Sequence, residues 1–153
     1  MLFPNLIKFH ISIIDITALI HYTLDMTKAI LGAFVTALFI KLFVFDFIIA
    51  EGNSMEPSIH NGTVLVINRL QYGFRFPGQR GYLIQWSAPR QGDIVVFYTP
   101  DGAPDGKAVK RISTINNDGN FLAYGDNDLH SLDSRSYGPV SINKTIGRVL
   151  GKK

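Results

Sequence analysis

Gly92-Asp93-Ile94-Val95-Val96-Phe97-Tyr98, together with AVKRISTINNDGNFLAY at 108–124, decides the fold class. The first run is β-branched and aromatic, and it stops at Pro100. Ala108-Val109-Lys110-Arg111-Ile112 is a second strand candidate. Asn116-Asn117-Asp118-Gly119 is a turn, and Phe121-Leu122-Ala123-Tyr124 follows it, so Ile112 and Phe121 are expected to flank a hairpin. Working outward, Val64-Leu65-Val66-Ile67 lies between Asn61-Gly62 and Asn68-Arg69, and Ile146 to Leu150 forms a last short run. Short strands broken by Gly, Pro, Asn and Asp predict a mostly β, antiparallel domain over 51–153. No helical periodicity follows Pro57, and no repeat or low-complexity tract is present. Two irregular stretches remain, 71–89 (rich in aromatics) and 125–139 (polar). Long loops in a compact domain commonly carry function.

The N-terminal third has a different composition. AILGAFVTALFIKLFVFDFIIA, residues 29–50, is almost wholly apolar. About 22 residues in a helix span roughly 33 Å, enough to cross a bilayer core. A transmembrane anchor is therefore expected over 26–50, its safest part running from Lys28 to Phe45, with Lys41 snorkelling to the headgroups. Basic residues precede this run, while Asp46 and Glu51 follow it with no basic residue before Arg69. That asymmetry puts the N-terminus inside and 52–153 outside. No small-residue cleavage site follows, so the anchor is expected to stay uncleaved. Residues 1–25 are apolar but carry Lys8, His10, Asp15 and His21. They read either as an interfacial segment or as a stretch absent from the native start.

The net charge of +3 comes from scattered basic residues, with no patch or run. Contact with anionic headgroups suits this better than nucleic-acid binding, so a lipid bilayer is the expected partner and no nucleic acid is. The absence of cysteine excludes a thiol nucleophile, disulfides and cysteine-ligated zinc. No metal site and no cofactor is expected.

Ser54, in Gly52-Asn53-Ser54-Met55-Glu56-Pro57-Ser58, is a nucleophile candidate that needs a base. His60 and His130 are the histidines of the β region, and neither gives a persuasive Ser-His-Asp order. A lysine can serve if it is neutral, which near pH 7 to 8 needs a downward shift of roughly three pKa units, or about 4 kcal/mol. Lys110, with Ala108, Val109 and Ile112 around it, has apolar surroundings of the right kind. On the residues alone it stands level with an ordinary surface lysine.

Taken in order, these segments resemble the type I signal peptidases, the Ser-Lys proteases that remove signal peptides outside the bacterial cytoplasmic membrane. KLFVFDF at 41–47 is similar to the family's anchor exit and GNSMEPSI at 52–59 to its serine box. RQGDIVVFYTP at 90–100 is similar to the strand before the lysine, AVKRI at 108–112 to the lysine box, and GDNDLHSLDSRSYGPV at 125–140 to the closing box. The resemblance implies an antiparallel β-sheet catalytic domain of signal-peptidase type behind one N-terminal transmembrane helix. It implies that Ser54 attacks the scissile carbonyl, that Lys110 takes and returns the proton, and that Ser131 aims Lys110. It gives Arg111 a structural part, has Asp126, Asp133 and Arg135 brace the closing loop, and has Met55 and Pro57 shape the turn presenting Ser54.

The implied oxyanion donor is the Ser54 N–H. Many members add a serine hydroxyl two positions earlier; here that position is Gly52, and the second donor is unassigned. Phe47 and Glu51 stand where many relatives have proline. The implied substrates are signal peptides of secreted preproteins with small residues one and three places before the cut. Ile59, Met55 and strand residues near Val95 and Val109 are the expected pocket walls, and an encounter with the secretion translocon is implied. The aromatic loop reads either as core or as a part that dips into the bilayer surface. Two other readings stand beside this one. A soluble Ser-Lys autoprotease of the SOS-repressor type would need a DNA-binding domain where residues 1–50 offer a membrane helix. A catalytically silent anchored β module would bind signal peptides or a secretion partner without cutting.

Overall fold

The computed structural model describes residues 4–100 and 106–152, with side chains from residue 15 onward. Its chain divides after Phe39 into two compact units.

The first unit is one continuous helix, α1 (Pro4–Phe39). It joins the described part of the 1–25 segment, from Pro4, to the first part of the anchor, which the sequence had divided. Several of its threonine hydroxyls bond within the helix: Thr27 Oγ1 donates to the Thr23 carbonyl at 2.8 Å and Thr36 Oγ1 to the Gly32 carbonyl at 2.8 Å. Lys28 and Asp25 pair at 3.2 Å one turn apart. Such internal pairing is what a helix in lipid needs, because nothing else there accepts its polar groups. The stretch Asp15–Val44 is long and apolar enough to cross a membrane.

The second unit is β, as expected. A turn of π-helix (Ile40–Val44) leads to β1 (Phe45–Ile49). There follow β2 (Val64–Asn68), β3 (Gly73–Phe74), β4 (Ile84–Gln85), β5 (Ile94–Tyr98), β6 (Lys107–Ile115), β7 (Asn120–Tyr124), a short helix α2 (Ser134–Tyr137), β8 (Val140–Ser141) and β9 (Thr145–Val149). Seven strands form one antiparallel sheet in the order β1-β2-β9-β5-β6-β7-β8, while β3 and β4 pair separately.

One boundary differs from the sequence reading. Residues 45–49, assigned there to the anchor, form a strand paired with β2 from Phe45↔Asn68 to Ile49↔Val64. An apolar run carries no period that separates helix from strand. Here long-range partners choose the strand: Asp46 meets Arg69 at 3.2 Å, and the Arg69 amide donates to the Val44 carbonyl at 2.8 Å. The β6–β7 hairpin is present, but its closing pair is Ile115↔Phe121, and Ile112 lies opposite Ala123.

β5 is buried on both sides, which explains its unbroken apolar run. Ile94 and Val96 join one core with Met55, Ile59, Leu65, Ile67, Ile146 and Val149. Val95 and Phe97 join a second core with Tyr72, Ile112, Phe121, Ala123 and Val140. The aromatic loop has both buried and exposed members. Tyr72 is buried and donates its hydroxyl to Asp93 at 2.9 Å, while Phe76, Leu83, Ile84 and Trp86 are exposed.

Candidate active site

β1 delivers the chain to the nucleophile turn. The β1–β2 pairing is prolonged by hydrogen bonds from the Ala50 amide to the Thr63 carbonyl (2.9 Å) and from the Gly62 amide to the Ala50 carbonyl (2.8 Å). Gly52 then adopts φ 80°, a conformation open to glycine, and its amide donates to Asn61 Oδ1 at 3.1 Å. The turn is pinned from beneath by Met55 and Ile59, both buried, with the Ile59 amide bonded to the Met55 carbonyl at 2.9 Å. Pro57 sits exposed in the same turn.

β6 carries Lys110, which is 5 % exposed. Its Nζ lies 2.6 Å from Ser54 Oγ, joining residues 56 apart in sequence. Burial, the largest influence, pushes the Lys110 ammonium below its ordinary pKa, while the nearby Asp133 charge pulls the other way. Neither histidine of this unit bonds to Ser54: His60 faces Glu56 at 3.6 Å, and His130 faces Asn127 at 3.4 Å.

The charged residues around this pair form two clamps. Arg111 grips Asp126 with two bonds, Nε to Oδ1 at 2.9 Å and Nη2 to Oδ2 at 2.7 Å. The same guanidinium reaches Ser58 Oγ at 3.3 Å in the nucleophile turn and the Gly92 carbonyl at 3.2 Å. In the second clamp Asp133 is fully buried. It accepts from Arg135 Nε (2.9 Å) and Nη2 (2.6 Å), from Ser131 Oγ (2.6 Å) and from the amides of Gly125 (2.9 Å) and Arg135 (3.2 Å). Burial alone would raise the Asp133 carboxyl, but these donors hold it well below the usual carboxylate range. Ser131 gives its hydroxyl proton to Asp133 at the edge of this site, and the bond from Lys110 Nζ goes to Ser54.

Two residues that the sequence reading passed over tie the closing loop to the nucleophile. A Cβ on Gly125 would collide with the Ser54 carbonyl and with Ser131 Oγ, so glycine is required there. Asn127 donates its amide to the Ser54 carbonyl at 3.0 Å and its side-chain Nδ2 to the Asn53 carbonyl at 3.1 Å. Both stand in the GDN run already quoted, but nothing in a single sequence says that its backbone meets residue 54.

Beside Ser54 lies an open cleft of about 400 Å³. It is lined by Ile48 to Gly52, by Ser54, Met55 and Ile59, and by Lys107 to Lys110. Ile59, Met55 and Val109 line this cleft, whereas Val95 is fully buried in the second core, because alternate residues of β5 face opposite sides of the sheet.

Residues 23–119, well over half of the chain, match the family model described as signal peptidase, peptidase S26. The chain belongs to that family. Relatives agree: it is 27% identical over 146 residues to signal peptidase I of Bacillus caldolyticus, covering 72% of this chain and 80% of that protein. It is 29% identical over 126 residues to mitochondrial inner membrane protease subunit 1 of Xenopus tropicalis, covering 70% and 68%. It is also 29% identical over 146 residues to subunit 2 from Danio rerio, covering 79% and 73%. This signal-peptidase-family member is thus a serine peptidase, and the antiparallel sheet behind one apolar helix is its family's architecture. The family match includes Ser54 and Lys110 and ends before Ser131, Asp133 and Arg135.

Proposed function

We propose that the protein is a membrane-anchored endopeptidase that removes N-terminal signal peptides from exported preproteins with Ser54 as nucleophile and Lys110 as base. The observation that carries this is the 2.6 Å approach of a buried lysine amine to a serine hydroxyl at the edge of an open cleft. Neutral Lys110 accepts the Ser54 proton as Oγ attacks the scissile carbonyl carbon. The negative charge that develops on the carbonyl oxygen meets the Ser54 N–H. Lys110 then returns the proton to the departing amine, which is the new N-terminus of the mature protein. The signal peptide stays as an ester on Ser54 until water, deprotonated by Lys110, hydrolyses it.

Ile48, Met55, Ile59 and Val109 give the cleft an apolar part, and that part suits small residues beside the cut, since bulk is excluded more readily than a missing methylene is detected. Helix α1 is the anchor, with the N-terminus on the cytoplasmic side of a bacterial membrane and the catalytic unit on the outer face. The exposed Phe76, Leu83, Ile84 and Trp86 rest against the same bilayer. Ser131 acts on Lys110 through Asp133, whose charge it shares.

The test is cleavage of a preprotein carrying alanine one and three places before the cut, by detergent-solubilised protein. Ser54→Ala and Lys110→Ala are each expected to abolish it. Cleavage at the wild-type rate by either variant rejects the dyad.

A further inference from the structure

We propose that Asn127 is a positioning residue for the oxyanion site: by holding the Asn53 carbonyl, its side-chain amide fixes the direction of the Ser54 N–H. This rests on the reading of Ser54 as nucleophile.

The Asn53 carbonyl and the Ser54 N–H belong to one peptide group. Among the described residues only Glu56-Pro57 is cis, so this group is trans, and its C=O and N–H point in opposite directions. A planar group held at its oxygen is therefore aimed at its hydrogen. The oxygen is held twice, by the Glu56 amide at 3.2 Å and by Asn127 Nδ2 at 3.1 Å. The next carbonyl, that of Ser54, is held by the Asn127 amide at 3.0 Å. No acceptor takes the Ser54 N–H among the described residues. The turn thus fixes its carbonyls and leaves free the one donor that an oxyanion needs. Glu56 supplies a bond local to the turn. Asn127 supplies one from 74 residues away, so it sets the peptide against the sheet that carries Lys110.

Two features make this bond matter here. Gly52 offers no hydroxyl, so no side chain at that position shares the charge with the Ser54 N–H. Asn127 also belongs to neither core, and its side chain is only partly buried, so the fold does not depend on its packing. Its Oδ1 faces His130 Nδ1 at 3.4 Å, and with that oxygen accepting, Nδ2 is the end turned toward Asn53.

Removing an oxyanion donor outright costs about 100- to 1,000-fold in kcat, and misaiming one costs less. In the full chain in detergent, Asn127→Leu keeps about the same size without the donor and without adding a charge, and Asn127→Ala loses both size and donor. Both are expected to lower kcat by about 10- to 100-fold with KM within about twofold, and to leave the acid limb of the pH profile in place. Affinity for a peptide aldehyde, which forms a tetrahedral adduct on Ser54, should fall in step with kcat/KM. Unchanged kcat overturns the proposal. So does a loss that appears in KM, or one accompanied by a moved acid limb, which would mean that Asn127 acts through Lys110. Loss of a cooperative thermal transition in both variants would also overturn it, by making the residue a fold determinant. Ser54→Ala, run in parallel, separates this failure from that of the dyad itself: if it still cleaves, the nucleophile is misassigned and not merely its donor.

Discussion

A lysine with 5 % of its surface exposed is held beside a serine, and among the described residues no acidic side chain pairs with its nitrogen. Burial lowers its pKa, and a base is active only when unprotonated, so protonation on the acid side removes activity. The expected profile of kcat/KM therefore falls as pH drops through the depressed Lys110 value, by about tenfold per pH unit once below it. A profile that stays flat down to about pH 5 would contradict a neutral lysine. Asp133 titrates in the opposite sense. Its folded pKa lies below the unfolded one, so its contribution to stability is full above the usual carboxylate range and is lost as pH falls through the lowered value. Asp133→Ala leaves the Gly125 amide and Ser131 without their acceptor and should cost about 3 kcal/mol at neutral pH by urea unfolding. The gap between variant and wild type should narrow below about pH 4. A gap that is constant with pH would mean that the carboxylate charge plays no part.

At the scale of elements, the legible parts were those with a local signature. β5 declared itself through Gly92 and Pro100, and the β6–β7 hairpin through Asn116 to Gly119. β1 did not, because Phe45–Ile49 continues an apolar run and its choice of strand depends on β2, fifteen residues downstream. The site divided in the same way. Ser54 and Lys110 were legible from order and resemblance, and the structure sets them 2.6 Å apart. Asn127 and Gly125 were not, since what distinguishes them is contact with backbone atoms far away in sequence. The same limit left the aromatic loop undecided, and the structure gives Tyr72 to the core and Trp86 to the surface. Trp86 is the single tryptophan of the chain, so its fluorescence reports that loop alone. In vesicles containing brominated lipid its emission should be quenched relative to unbrominated vesicles. Equal emission in both would remove the bilayer from this surface.

For the whole molecule, the two units have separate physical bases. α1 bonds several threonine hydroxyls to its own backbone and exposes its apolar side chains, whereas the β unit has two buried cores of its own. Membrane retention should accordingly reside in the helix. In native membranes the full chain is expected to stay with the pellet after carbonate extraction. Protease added to the outer face should reach residues beyond the helix while an N-terminal tag stays protected. Release by carbonate would reject the anchor, and a digested tag would reverse the orientation.

The pairing of Ser54 with an amine also has a pharmacological consequence. Reagents that acylate or phosphonylate a serine and then seek a neighbouring imidazole to alkylate find none bonded to this one, because His60 and His130 are engaged elsewhere. Amine-directed labels would modify the exposed lysines first, since Lys110 is shielded. A selective inhibitor must therefore draw its reactivity from the serine alone and its selectivity from the shape of the cleft between Ile48 and Val109.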